Sequence, residues 1–367
     1  MNAVLTVLGA WLLACLAYRW LSLRAVDRRL GDPEQGAEPV PPSGEVAALR
    51  PLKGSGPWME PCLESLWQAA APTRTRVVLG VADAADPAVD DVRQALSRVG
   101  EKPPTELRID PGPEGLNRKM ANLIQMADGV PADILAFSDA DVRVPPDYVE
   151  RAVRPFKDGD VGLVTFPYRS VPGLSHASRV DAQITNTYFL PSVAMALEVQ
   201  GLHFGLGASL VVRREALAKA GGLEALLDVC GDDYWMARHI EEAGYRLEFV
   251  PLMLEHMLDD AGWRASMRRH LRWNSVVFEQ RPVGYVGQVT LHGGVAAMAF
   301  GVTAALSGVG ALALAVPLLW WAAEARGLWK RRALLGVRKT ELALLPVTAV
   351  VAFGTWVGGF FGRPRPS

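Results

Sequence analysis

The sequence predicts an α/β fold with a mostly parallel central sheet, flanked by transmembrane α-helices. Three observations predict it. From Ala47 to about Val250, short β-rich runs alternate with amphipathic helical patterns, the signature of strand–helix units laid into a parallel sheet. Three runs carry no Asp, Glu, Lys or Arg: Met1–Tyr18 (18 residues), Pro282–Ala323 (42) and Leu342–Gly362 (21). Charge-free apolar runs of about 18 or more residues read as membrane spans. All the charges fall on the rest of the chain, which therefore has soluble character, and this excludes a polytopic channel.

The elements follow in order. Residues 1–23 read as an N-terminal transmembrane anchor. Arg19, Arg24, Arg28 and Arg29 all follow the apolar run, and no A-x-A cleavage signal is present, so an uncleaved anchor is expected. By the positive-inside rule the next segment is cytoplasmic, which suits a multi-pass protein of a bacterial-type inner membrane. Residues 24–46 are a linker, rich in Pro, Gly and Glu from Gly31 to Glu45. Residues 47–262 form the α/β domain. Its strands are expected at Val77–Val81, Glu106–Ile109, Ile134–Ser138, Val161–Pro167, Ala208–Val212 and Arg246–Val250. Its helices are expected at Val89–Val99, Lys119–Ala127, Asp147–Phe156 and Tyr234–Ala243. Residues 263–281 are an amphipathic interfacial segment. Residues 282–323 are too long for one span and predict a helical hairpin turning at Ser307–Gly310, with a re-entrant or interfacial segment as the alternative. Residues 324–341 are a basic cytoplasmic loop, and 342–362 a last transmembrane helix. The net charge of −1 excludes a general nucleic-acid binder. Three scattered cysteines imply neither a disulfide framework nor a zinc site.

The candidate chemistry lies in carboxylates at strand and helix ends. Asp139-Ala140-Asp141 follows a strand directly, and ligands of parallel sheets bind at carboxyl ends of strands. Two carboxylates one residue apart suit a hard divalent cation, Mg²⁺ or Mn²⁺, shared with a substrate diphosphate. An ordinary turn is the competing reading. Asp83 suits hydrogen bonding to a base or ribose, whereas Asp86, before Pro87 and a helix, equally reads as an N-cap. Asp232 and Asp233 open a helix and serve either its macrodipole or, with one pKa raised by the neighbour, a proton acceptor. Arg269, Arg272 and Trp273 lie in the interfacial segment, either snorkelling to headgroups or closing over a diphosphate. Gly205–Ser209 shapes a pocket or packs closely. Cys230, His203 and His256 read as structural.

Together these motifs resemble family 2-type glycosyltransferases of GT-A fold, and more closely ceramide glucosyltransferase and bacterial glycosyltransferases of hopanoid synthesis. Six ordered motifs carry the resemblance: Leu49-Arg50-Pro51-Leu52-Lys53-Gly54, Asp83…Asp86-Pro87-Ala88, Asn117-Arg118-Lys119-Met120-Ala121-Asn122-Leu123, Asp139-Ala140-Asp141, Asp232-Asp233-Tyr234, and Arg269-x-x-Arg272-Trp273. The resemblance implies a GT-A nucleotide-sugar-binding domain and a UDP-sugar donor. It implies Asp83, Asp86, Lys119, Asn122 and Asp139 at the nucleotide, and metal on Asp139 and Asp141. It further implies Asp233 as general base beside Asp232, and Arg269, Arg272 and Trp273 completing the site for a membrane-lipid acceptor. Animal ceramide enzymes have D-S-G where this chain has D-A-D, which strengthens metal binding and weakens ceramide as acceptor. A W-R-G-type tail of relatives is replaced here by Arg363-Pro364-Arg365-Pro366-Ser367. Two other functions compete: a processive polysaccharide synthase, which shares the same motif series, and a non-catalytic nucleotide-sugar-binding membrane protein.

Overall fold

A computed structural model describes residues 2–31, 44–100 and 102–363. Most of the expected linker and the last four residues lie outside them. Helix α1 (Asn2–Arg29) runs on past the apolar anchor, so residues 24–29 are helical rather than linker. Strand β1 (Val46–Leu52), helix α2 (Met59–Ala70), β2 (Arg76–Val81), α3 (Ala88–Arg98), β3 (Thr105–Ile109), α4 (Arg118–Ala127) and β4 (Ile134–Ser138) then alternate. Next come β5 (Val142–Arg143), α5 (Tyr148–Val153), β6 (Val161–Thr165) and β7 (Tyr168–Val171). Two helices, α6 (His176–Ile184) and α7 (Leu190–Val199), are joined by a π-helical turn at Thr185–Phe189. They precede β8 (Ser209–Arg213), α8 (Arg214–Lys219), α9 (Asp232–Glu242), β9 (Arg246–Phe249) and β10 (Leu254–Met257). The remainder is helical: α10 (Trp263–Gln280), α11 (Pro282–Gly287), α12 (Gly293–Leu306), α13 (Gly310–Lys330), α14 (Arg332–Leu335) and α15 (Leu345–Gly359).

The chain forms two compact units. One comprises the described residues of Asp32–Tyr168 and Gln200–Asp259. Its sheet has the order β3-β2-β1-β4-β8-β6-β9. Pairs β1–β2, β1–β4, β2–β3 and β6–β9 are parallel, while β8 runs antiparallel to β4 and β6. All five residues of β4 are buried, as expected for a strand covered on both faces. One face packs on α2, α3 and α5 through Leu63, Trp67, Val92 and Val149, the other on α4, α8 and α9 through Met120, Leu217 and Met236. Helix α4 starts where the Asn117 side chain accepts the Met120 amide at 3.2 Å.

The other unit joins Met1–Gly31, Arg169–Val199 and Asp260–Pro364. The α/β domain expected to be continuous over 47–262 is thus interrupted. Residues 169–199 leave it because α7 packs along α1 and α6 along α15. Among the described residues, three helical stretches of the unit are long and apolar enough to cross a membrane, or four if Pro282–Leu291 and Gly293–Leu306 count as one span bent by 54°. The break at His292 was not expected. Helices α12 and α13 meet in a tight connection at 307–309, where Gly308 takes φ 75°. They pack closely: a Cβ on Gly301 would lie 2.7 Å from the Ala313 carbonyl. A charge on α1 is matched by one on α13, since Arg19 is bonded to Glu324, and Arg19 also donates to the Thr187 carbonyl at 2.9 Å.

Candidate active site

Strands β1, β2 and β4 are adjacent and parallel, so their carboxyl ends share one edge. Leu52 pairs with Val81, and Leu49 with Phe137. Asp83 and Asp139 leave this edge in the loops after β2 and β4. Asp83 is exposed, and its Oδ1 accepts the Ala85 amide at 2.9 Å. Asp86 accepts two amides, Gly54 at 2.8 Å and Ala88 at 2.9 Å. It therefore ties the loop after β1 to the start of α3, the capping role weighed from sequence. Asn122 is buried and donates to the Gly80 carbonyl at 2.9 Å while accepting from Gln125 at 2.7 Å. Its amide holds α4 against β2, which corrects the expectation that it reaches a nucleotide: those groups are spent inside the core.

A denser cluster forms where α4, the β4 end and α9 meet. Lys119 Nζ lies 2.6 Å from Asp139 Oδ1 and 3.6 Å from Asp232 Oδ2. Asn117 donates to Asp232 Oδ1 at 3.3 Å, so the first turn of α4 holds the first residue of α9. Burial alone would depress the Lys119 ammonium, but the carboxylates of Asp139 and Asp232 more than offset it and its pKa is raised. Burial also raises Asp139, against the pull of Lys119. Asp233 is pushed up to about 7, first by burial and then by the Asp232 charge beside it. Three carboxylates thus share the field of one ammonium, and burial, reinforced by the neighbouring negative charge, keeps Asp233 poised to hold or release a proton at neutral pH.

Local backbone geometry sets this up. Gly231 adopts φ 71°, a left-handed turn that starts α9 at Asp232. The 205–208 segment runs beside Asp233. A Cβ on Gly205 would lie 2.6 Å from the Asp233 carbonyl, and one on Gly207 3.1 Å from Asp233 Oδ2. Thr165 Oγ accepts the Leu206 amide at 2.9 Å, and the Asp139 amide donates to the Ala208 carbonyl at 3.1 Å. The pocket-shaping reading of these glycines therefore acquires a partner, the Asp233 carboxylate.

Asp141 stands beside His256 of β10, with Nε2 3.3 Å from Oδ2. Strand β10 pairs with β5, directly after the D-A-D turn, which brings His256 opposite Val142. Beneath the turn, the fully buried Arg50 donates to Ser138 Oγ at 3.1 Å and to the Cys62 carbonyl at 2.6 Å. Among the described residues no three His, Cys, Asp or Glu groups form a closed metal cage. The donor set still fits Mg²⁺ or Mn²⁺, which bind through one or two carboxylates and take remaining ligands from water and substrate phosphate.

The profile of glycosyl transferase family 21 matches residues 7–364. The chain belongs to that family. Its fold is GT-A, shared with the mannosyltransferase PcManGT from Pyrobaculum calidifontis, solved with GDP-Man and Mn²⁺. The two are 19% identical, the match covers 98% of each chain, and the TM-score is 0.58. GalNAc-T7, solved with UDP, GalNAc and Mn²⁺, matches over 64% of this chain and 47% of its own at 13% identity and TM-score 0.43. Glucosyl-3-phosphoglycerate synthase from Mycobacterium tuberculosis matches over 65% and 78% at 12% identity and TM-score 0.42.

In this family 21 glycosyltransferase the remaining motif, Arg269–Trp273, lies on α10 in the helical unit. Arg272 is exposed and, among the described residues, makes no ion pair. Arg269 is bonded to Asp181 at 3.0 Å, and His270 to the same carboxylate at 2.8 Å. Sequence reasoning missed four residues at these sites: Asn117, Asp181, His256 and Tyr168, whose hydroxyl is raised by burial and by the Asp233 charge. Only Asn117 carried a signal, as the first residue of its motif. His256 was set aside because it has no ligand spacing in sequence; the β5–β10 pairing supplies the proximity instead.

Proposed function

We propose that this glycosyltransferase is a multi-pass enzyme of a bacterial-type inner membrane that inverts a UDP-sugar onto the hydroxyl of a membrane lipid, ceramide-like or hopanoid. The observation that carries the reading is the Asp233 carboxyl, pushed up to about 7 in a cluster with Asp232, Asp139 and Lys119. A buried carboxylate of that basicity is a suitable general base at neutral pH.

Asp233 accepts the proton of the lipid hydroxyl as the oxygen attacks the anomeric carbon. The bond from that carbon to the diphosphate breaks with its electron pair, and attack from the opposite face turns an α-linked donor into a β-linked glycolipid. Asp139 and Asp141, with His256 beside them, are the groups to hold Mg²⁺ or Mn²⁺, which would neutralise charge on the departing diphosphate. Lys119 adds its own positive charge next to Asp139 and orients it. The 205–208 loop bounds Asp233 on the side where both glycines leave room. Arg272 and Trp273 act in donor and acceptor binding, as their motif implies. The apolar helices and the arginines in the C-terminal part of α1 favour a catalytic unit on the cytoplasmic side.

The test is to incubate the full-length protein in nanodiscs with a panel of labelled UDP- and GDP-sugars and a lipid extract, then follow chloroform-soluble label. The expected result is one β-linked glycolipid from a UDP-sugar. Label released only to water, or incorporated into polymer, would overturn the lipid assignment.

A further inference from the structure

A second charged cluster lies wholly within the helical unit. Asp181 of α6 is 1% exposed. An ionised carboxylate so placed is costly unless paired and hydrogen-bonded. Its partners all come from α10: Ser266 hydrogen-bonds it, and Arg269 and His270 hold it from the next turn. His270 Nε2 lies 2.8 Å from Oδ1, and Arg269 donates from Nη2 to Oδ2 at 3.0 Å. Each carboxylate oxygen is therefore assigned to a different residue of the motif segment. His270 is itself 4% exposed, and its ring stands edge-on to the Trp273 indole, with centroids 5.4 Å apart and planes at 90°. A continuous chain of contacts runs from Asp181 through His270 to Trp273.

Helix α6 is a firm base for this chain. Its N-terminus is capped by Ser175, which accepts the Ser178 amide at 3.0 Å, and the Ser175 amide donates to Asp260 at 2.7 Å. Two residues beyond Asp181, Gln183 donates to the Glu341 carbonyl at 2.6 Å and accepts from Thr348 at 2.5 Å. Helix α15 packs on both α6 and α10. A slide or rotation of α10 would leave Asp181 buried without partners. Burial alone would raise the Asp181 carboxyl, but the His270 bond and the two positive neighbours more than offset it and the net shift is downward.

We propose that Asp181 is a positioning residue that orients Trp273 through His270, and Arg272 through Arg269 and the α10 backbone. The inference rests on the reading that Arg272 and Trp273 act in transfer. It assigns Arg269 to holding the helix rather than to contacting substrate. Asp181→Asn keeps the shape and one acceptor oxygen while removing the charge that Arg269, His270 and Ser266 share.

The experiment uses the full-length protein in nanodiscs, labelled with 5-fluorotryptophan. The Trp273 resonance is assigned by its loss in Trp273→Phe. In Asp181→Asn this resonance is expected to shift or broaden, with Trp67 of the other unit unmoved. Transfer should fall about tenfold in kcat, the scale of a sub-ångström misplacement, with UDP-sugar affinity within about twofold of wild type. Asp181→Glu should restore part of the rate. If Asp181→Asn does not accumulate, His270→Phe carries the same test: it keeps a ring against Trp273 and removes the bond to Asp181. A Trp273 resonance unmoved in a folded variant overturns the proposal whatever the rate. A moved resonance with unchanged transfer supports the Asp181–Trp273 link and overturns the role of Trp273 in transfer.

Discussion

Two charged clusters in this protein are built from the same residue types and reach opposite electrostatic ends. Around Lys119, three carboxylates, Asp139, Asp232 and Asp233, gather on one ammonium. Around Asp181, one carboxylate is shared by His270 and Arg269. In the first, negative charge is in excess and burial raises Asp233 to about 7. In the second, the positive partners overcome burial and lower Asp181. An excess of one sign leaves a site wanting a cation or a proton. A balanced buried pair wants nothing further and holds its helices in register. The difference separates a group suited to chemistry from a group suited to fixing geometry.

The largest expected effect tests the first cluster at its reactive member. Asp233→Asn should reduce transfer by roughly 10²-fold or more, the scale of general-base catalysis, while UDP-sugar binding by calorimetry is kept. Near-normal turnover would remove the distinction between the clusters. The same variant should be no less stable than wild type above neutral pH. The sign is as follows: Asp233 binds its proton more tightly folded than unfolded, where carboxyls titrate near ~4, so its contribution is present below that value and lost as pH rises through about 7. Thermal melts at pH 8 check it. For Asp181 the sign reverses, and its contribution is lost as pH falls through its lowered folded value.

Next in size is Lys119→Met. Removing the ammonium that lies against Asp139 and Asp232 should cost roughly tenfold to 10²-fold in rate. It should also move the acid limb of the pH–rate profile above its wild-type position near 7, because Asp233 loses a positive neighbour. An acid limb that stays in place would detach Lys119 from Asp233. Gly207→Ala is a smaller intrusion. Its Cβ would stand 3.1 Å from Asp233 Oδ2, and a drop of about tenfold in kcat is expected with donor affinity unchanged. The smallest effect belongs to Asp86, whose carboxylate already accepts two loop amides. Asp86→Ala should lower stability by ~1 kcal/mol in urea melts, with kcat nearly unchanged.

Much of this was legible in the chain. Strands such as Ile134–Ser138 and helices such as Arg118–Ala127 announce themselves by buried apolar runs and amphipathic spacing. Lys119, Asp139, Asp232 and Asp233 stand out because each begins or follows such an element, and strand and helix ends are where α/β folds expose polar groups. Residues 169–199 were not legible as part of the helical unit. Their helices lie between two strands of the α/β unit, and sequence order conceals a departure of that kind. Asn122 was misjudged because a motif position does not say whether an amide faces ligand or core. Asp181 gave no signal because its partners are 88 and 89 residues away.

By itself the sequence determined the alternation of strands and helices, the apolar spans, and the ordered motifs that mark a glycosyltransferase, since these depend on local periodicity and spacing. Tertiary structure alone decided which charges meet. It set three carboxylates on Lys119, placed His256 beside Asp141, and locked Arg269 and His270 onto Asp181. Charge–charge energies depend on distance through space and on burial, and neither is carried by position along the chain.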